Sequence, residues 1–344
     1  MKSKMGIDND TKGIRISTDR QTIKFSVIIP AYNAEKAISR CLQSVTASSY
    51  EAIEVIVVND GSTDRTAEMV EEFIKSDKRI MLFSQPNAGP STARNNGMKY
   101  VSGDVITFVD SDDYIEPDYF DELSSAFTES NADVVYFEFN RVDETGRIIS
   151  RHNLPQEFQS TKYYDNLMHL SQADMFGYTW IKAFKCTVLE RKRFDTNMCL
   201  FEDEVFTCMV LRKPVKIKFL YKPLYNYVCT GTSSLARRTH INYHIMCDKV
   251  YLAWEFLLRE CDDDYEAFLR EKATHMQRVC KFYGLERNVH TIRFFKELSN
   301  CSFVNDHPTK DGLIHAIKNK QWIIVYKEVA IYKMKSFISK LLKK

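Results

Sequence analysis

A chain of 344 residues, 44% hydrophobic and 27% charged, can bury a substantial core and is not globally disordered. Its net charge of +2 excludes a general polyanion-binding role. Nine cysteines without a CxxC pair offer neither a zinc spacing nor a disulfide framework, and no run of about 18 apolar residues marks a membrane span. With no N-terminal signal peptide, a reducing cytoplasm is the expected home.

In chain order, residues 1–22 are polar, lack an apolar period and read as a loose arm. Phe25 to Ile29 is a short apolar run stopped by Pro30, the pattern of a buried strand. Ala37, Ile38, Cys41, Leu42 and Val45 then fall on one helical face. Ile53 to Val58 is a second buried strand, ending in Asn59-Asp60-Gly61-Ser62. The next helix has Asp64 as its expected N-cap and Met69, Val70, Phe73 and Ile74 inside. Arg79 to Phe83 reads as a strand, residues 85–90 as a turn, and Ser91 to Val101 as a helix carrying Arg94. Strands alternating with helices imply βαβ crossovers and a mostly parallel sheet.

Val105 to Val109 is the strand the chain is organised around, because it ends in Asp110-Ser111-Asp112-Asp113. Like charges this close raise one another's pKa, so a positive partner is expected. Magnesium or manganese suits such a tip, since hard cations sit on one or two carboxylates plus substrate phosphates. The plainer alternative is a solvated turn in which Asp113 caps the helix near Pro117. Tyr32-Asn33, Asp60-Gly61 and Asp110–Asp113 each follow a strand's C-terminal end. Ligands of open α/β sheets bind at that edge, so one shared cleft is expected.

The segments FSVIIPAYNAE, IEVIVVNDGSTD, NAGPSTARNNG and GDVITFVDSDD stand in this order over residues 25–113. In them the chain resembles the family 2 glycosyltransferases. The resemblance implies a GT-A Rossmann-like, mostly parallel sheet with helices on both faces, here with a helical C-terminal extension. It implies a nucleotide-diphosphate sugar donor, a divalent cation (Mn2+ or Mg2+) and inversion at the anomeric carbon. Donor contacts carried over are Pro30, Tyr32, Asn33, Asp60, Gly61, Asn87, Gly89, Arg94, Asp110, Ser111 and Asp112, with Asp110 and Asp112 also on the metal. Tyr32 would stack on the base, and Asp60 would accept from an imino N–H, which suits uracil or thymine and hence a UDP-sugar. Arg94 would reach a phosphate or carboxylate, or else pair with a cleft acid.

Asp133 to Glu138 reads as a further strand, Arg141 to Ser150 as a hairpin, and Tyr163 to Leu170 as a helix. Trp180 resembles the family residue that walls the acceptor side; core packing is its plainer role. Glu202-Asp203-Glu204 opens an amphipathic helix, where acids are ordinary dipole partners. By resemblance, Asp203 is the general base and Glu202 its acceptor-side neighbour. Leu224-Tyr225-Asn226-Tyr227 with Thr232-Ser233-Ser234 resembles the closing segment. Val228 stands where an Arg is common, so Arg237 or Arg238 would have to replace its phosphate contact. His240 and His244 stand one helical turn apart without a third metal ligand.

The expected domains are a catalytic unit, 23–235, and a helical region, 236–344. The first divides into a nucleotide-binding half, 23–138, and an acceptor half, 139–235. From Lys318 to Lys344 there are eight lysines and one acid, a local +7 that leaves about −5 for the rest of the chain's +2. Ile331, Met334, Ile338, Leu341 and Leu342 recur there at helical spacing. Such a helix either lies on an anionic membrane or packs on the domain with a solvated lysine edge. The function expected is transfer of one sugar to a glycan or lipid-linked saccharide. The alternatives are a nucleotide-sugar or glycan-binding scaffold with the same fold, and enzymes of other classes whose glycine-rich loops are absent here.

Overall fold

The computed structural model describes residues 22–155, 162–230, 242–259, 261, 265–286, 290–307 and 309–342. The first 97 residues form β1 (Phe25–Ala31), α1 (Ile38–Thr46), β2 (Ile53–Asn59), α2 (Thr66–Ser76), β3 (Ile80–Ser84) and α3 (Pro90–Gly97). Then come β4 (Val105–Phe108), β5 (Tyr114–Ile115), α4 (Tyr119–Ser130), the hairpin β6 (Val134–Val142) and β7 (Ile148–His152), and α5 (Tyr163–Gln172). β8 (Lys182–Lys185), α6 (Glu202–Leu211) and β9 (Ile217–Val228) complete the sheet region. Among the described residues the helices that follow are α7 (Tyr243–Leu258), α8 (Tyr265–Glu286), α9 (Thr291–Leu298), α10 (Ser302–Asn305), α11 (Gly312–Lys318) and α12 (Trp322–Leu341).

One mixed sheet runs β3-β2-β1-β4-β8-β6-β9-β5, with β7 on β6. Its first four strands are parallel, as the expected crossovers require. β1 and β2 are almost wholly buried, which their continuous apolar runs demand. β4 leaves β1 at the Ile28–Phe108 pair, so Pro30 removes no ladder bond on that side. Beyond β4 the sheet turns antiparallel through β8, and β6 and β9 pair in parallel. α3 lies close against β1: a Cβ at Gly97 would meet Ile28 Cγ2 at 2.6 Å. That close packing falls at the last residue of α3, four short of the expected Val101.

Two cap expectations are corrected. Asp64 does not cap α2 through its side chain; it accepts from the backbone N–H and hydroxyl of Thr66 and from the Glu35 N–H. It shapes the turn before the helix, where two loops need a common acceptor. Asp113 does not cap α4. It is buried, and its carboxylate accepts from the Tyr225 hydroxyl at 2.8 Å and the Val228 N–H at 2.7 Å.

The helical region is joined to the sheet region through α6. Trp254 of α7 packs on Phe176, and its Nε1–H donates to Glu204 at 2.7 Å. Lys272 of α8 pairs with the same Glu204 oxygen at 2.5 Å. His244 is buried against Phe294, and burial lowers its pKa. His240 lies outside the described residues, as do Thr232, Ser233, Ser234, Arg237 and Arg238 and nearly all of the N-terminal arm. Among the described residues no helix is long and apolar enough to cross a membrane.

Candidate functional site

The tips of β1, β2 and β4 lie on one edge because these strands are parallel neighbours. After β1, Tyr32 is 44% exposed, and Asn33 takes a positive φ of 49°. Asn33 ties the first tip to the second: its N–H donates to Ser62 Oγ at 3.0 Å, and its Oδ1 accepts from the Thr63 N–H at 2.8 Å. Asp60, after β2, is buried. Its Oδ1 accepts from Gln85 Nε2 at 2.7 Å and the Ala88 N–H at 2.8 Å, and its Oδ2 from the Gly89 N–H at 2.8 Å. A single carboxylate therefore shapes the 85–89 loop. Gly61 has φ 69°, and a Cβ there would lie 2.7 Å from the Asn87 nitrogen. Its side-chain-free backbone is what lets the two loops meet. Asn87 itself is exposed, and Pro30 sits partly buried beside the tip.

The centre of the site is a buried guanidinium. Arg94, 5% exposed, reaches Asp110 Oδ1 at 2.9 Å with one nitrogen. With the other it reaches Glu202 Oε1 and Asp203 Oδ1, both at 3.2 Å. Burial lowers the pKa of Arg94, but the three carboxylates outweigh it and hold the group above its ordinary value. Of the two readings of Arg94, pairing with cleft acids is the one seen in this geometry. Its fork is occupied by acids from β4 and α6, and little of it reaches solvent. Burial, and then the Asp203 charge, push the Glu202 carboxyl up to about 7 against the pull of Arg94. Asp203 Oδ2 accepts from the Thr179 hydroxyl at 3.0 Å and from its N–H at 3.3 Å. Both carboxylate oxygens of Asp203 are thus fixed in direction. Just before them Phe201 holds a left-handed backbone, φ 61°, an uncommon conformation for a bulky residue and one often found near functional sites.

Asp112 opens to solvent at the cleft mouth. Surrounding protein, then the Asp110 charge, raise its carboxyl above the ordinary range. Asp113, one residue on, is raised further, by burial and then by Asp112 and Asp110. No hydrogen bond from another described residue reaches the Asp112 carboxylate, and Asp110 keeps Oδ2 free of Arg94. Two carboxylates with free oxygens at an open mouth fit a hard divalent cation that completes its shell with phosphate and water. Groups of three protein ligands are absent among the described residues. Ser111, between the acids, is partly buried.

Trp180 is 5% exposed and stacks on Tyr225 at 4.7 Å, Tyr178 at 4.9 Å and Tyr227 at 5.5 Å. It is a packing centre for these three rings. Sequence reasoning missed three supports. Tyr225 accepts from the Asp110 N–H at 3.1 Å and donates to Asp113, bridging two of the acids. Thr179 orients Asp203; its signal was its place beside Trp180. Arg40 donates to the Asp112 carbonyl at 2.8 Å, and as one basic residue on a helix it carries no sequence signal.

A model of "Glycosyl transferase family 2" matches residues 26–193. Glycosyltransferase GlyA of Streptococcus pneumoniae is 36% identical over 59% of this chain and 30% of its own length. The uncharacterized glycosyltransferase EpsJ of Bacillus subtilis is 32% identical over 59% of this chain and 60% of its own. The chain thus spans 30% to 60% of the length of these relatives. The crystal structure of S. aureus TarS 1–349 in complex with UDP-GlcNAc shares the fold, with a TM-score of 0.68 and 22% identity. That match covers 91% of this chain and 92% of TarS 1–349.

Proposed function

We propose, from the match of residues 26–193 to the model of glycosyl transferase family 2, that this protein moves a sugar from a nucleotide-diphosphate sugar to a saccharide acceptor. The observation that carries the reading is the Arg94 bridge. It sets Asp203, at the start of α6, one guanidinium away from Asp110 at the tip of β4. A proton acceptor and a donor-phosphate site therefore face the same cleft.

In this reading Tyr32 stacks on the nucleobase and Asp60 holds the 85–89 loop that encloses it. Its remaining lone pair is open to an imino N–H, so a UDP-sugar is favoured. UDP-GlcNAc bound to TarS supports the same donor class. A divalent cation, Mn2+ or Mg2+, would be held by Asp110 and Asp112, and its chemistry there is to neutralise charge on the departing diphosphate. Asp203 takes the proton of the acceptor hydroxyl as that hydroxyl attacks the anomeric carbon. One base suffices for direct displacement, so the configuration inverts. Thr179 and Arg94 keep the Asp203 carboxylate aimed, and the Trp180 ring stack backs the acceptor side. The acceptor is a glycan or lipid-linked saccharide in cell-surface polysaccharide assembly. We place the reaction on the cytoplasmic side, with peripheral contact at the inner face of a membrane.

The deciding experiment screens UDP-, GDP- and TDP-sugars for binding and slow hydrolysis, with and without manganese. Manganese-dependent turnover of a UDP-sugar is expected, and Asp112→Ala should abolish it. Near wild-type turnover of that variant with the same manganese dependence would sink the metal assignment. Binding without turnover of any donor would favour a scaffold.

Asp60→Ala should weaken binding of every UDP-sugar by about tenfold or more, whatever the sugar, because three hydrogen bonds that shape the loop disappear. Titration calorimetry with two different UDP-sugars checks this. A loss confined to one sugar would put Asp60 at the wrong end of the donor.

A further inference from the structure

Helix α12 has two apolar faces, and the fold covers one of them. At about 100° per residue, Val325 and Val329 fall on one side. Both are buried, and this side packs toward α8, α9 and α11. Ile323, Met334, Phe337, Ile338 and Leu341 fall on the opposite side, within an arc of roughly 100°. Their exposures run from 46% to 86%. Scattered single apolar residues on a surface are ordinary, but five along one face of one helix are not. Tyr332, on the packed side, donates to Glu286 of α8 and fixes the helix roll, so the other face points away from the rest of the described residues.

Charge selects the occupant. Lys333 and Lys340 border the uncovered arc on one side and Lys335 borders it on the other, all exposed. The only acid on the helix, Glu328, lies away from this arc. A second copy of the same helix would bring lysine rows against lysine rows. A plane of phosphates with acyl chains beneath it meets both the lysines and the apolar strip.

We propose that the uncovered face of α12 docks the protein on an anionic lipid bilayer. The helix lies in the plane of the surface, its five apolar side chains enter the headgroup boundary, and the flanking lysines meet lipid phosphates. The inference names the surface and lipid class behind the membrane contact in the reading above. It rests on the glycosyltransferase assignment only for its purpose.

The test is flotation of the full chain with vesicles of phosphatidylglycerol and phosphatidylcholine in equal parts, against phosphatidylcholine alone, at low and high salt. The full chain should float with the anionic vesicles, be released by high salt, and bind phosphatidylcholine about tenfold less or weaker still. The variants Phe337→Asp with Leu341→Asp, and Lys333→Glu with Lys340→Glu, should each lose binding by about tenfold or more. These side chains are exposed, so melting temperatures and UDP-sugar turnover without vesicles should stay at wild-type values. If one pair melts early, the other decides. Equal flotation of wild type and variants, or equal binding to both vesicle types, overturns the proposal. So does a wild-type dimer that fails to float and that Phe337→Asp with Leu341→Asp breaks, since a second copy would then cover the face. A failed flotation leaves donor turnover untouched, and the absence of donor turnover leaves flotation untouched, so the two readings fail separately.

Discussion

Asp203→Asn is expected to cut sugar transfer by about 10²–10⁴-fold, the usual range for removing a general base, with UDP-sugar affinity nearly unchanged. The structure adds a reason to read this variant beside a partner. Both oxygens of Asp203 receive donors, Arg94 on one and Thr179 on the other. An amide must turn its NH2 toward one of them, so a small loss of stability, about 1–2 kcal/mol, should accompany the lost rate. Glu202→Gln is the control. Glu202 is already pushed up to about 7, so near neutral pH the amide replaces a group that is protonated about half of the time. Its rate should fall far less. Stopped-time assays of both variants, with binding measured separately, decide the matter. If Glu202→Gln loses the rate and Asp203→Asn keeps it, the base is Glu202.

Arg94→Met should be the most destabilising single change in the cleft, by about 3 kcal/mol. It removes the cation from the contact with Asp110, Glu202 and Asp203 and leaves their charges facing one another. Denaturant unfolding would show a lower midpoint at unchanged slope. The loss should also depend on pH. Arg94 lowers the Glu202 pKa, so without it that carboxyl binds its proton more tightly in the folded state than in the unfolded chain. Wild-type Glu202 already holds its proton up to about 7, so the variant regains stability relative to wild type only as pH falls towards about 7; below that both gain alike and the deficit stays level. A midpoint equal to wild type at neutral pH would mean that solvent and counterions already neutralise the cluster.

Much of this was legible in the chain. The runs at Val27, Val55 and Val105 are apolar apart from Ser26, Glu54 and Thr107, and a strand buried on both faces accepts that pattern. Their tips follow at once, so Asp60 and Asp110 could be placed on one edge. What could not be read were partners supplied from far along the chain. Arg94 meets an acid 16 residues away and two others 108 and 109 residues away, so its pairing with acids and its reach to a phosphate looked alike. Asp113 resembled a helix cap because its neighbours in sequence suggest one, while its real donors sit on β9. Helical spacing in α12 showed apolar residues recurring but not which side would be covered. Val325 and Val329 turn out to anchor the covered side.

Glu204 leads to one last consequence. It adjoins Asp203 on α6, yet its partners, Trp254 and Lys272, come from α7 and α8. A shortened form ending after β9 would strip away an indole donor and an ammonium together, leaving an acid stranded next to Asp203, the proposed base. Such a fragment should express poorly or carry a slackened α6, even though all of residues 26–193, the stretch the family model matches, is present in it. Anyone trimming the protein to its signature region would then mistake a lost buttress for a dead enzyme.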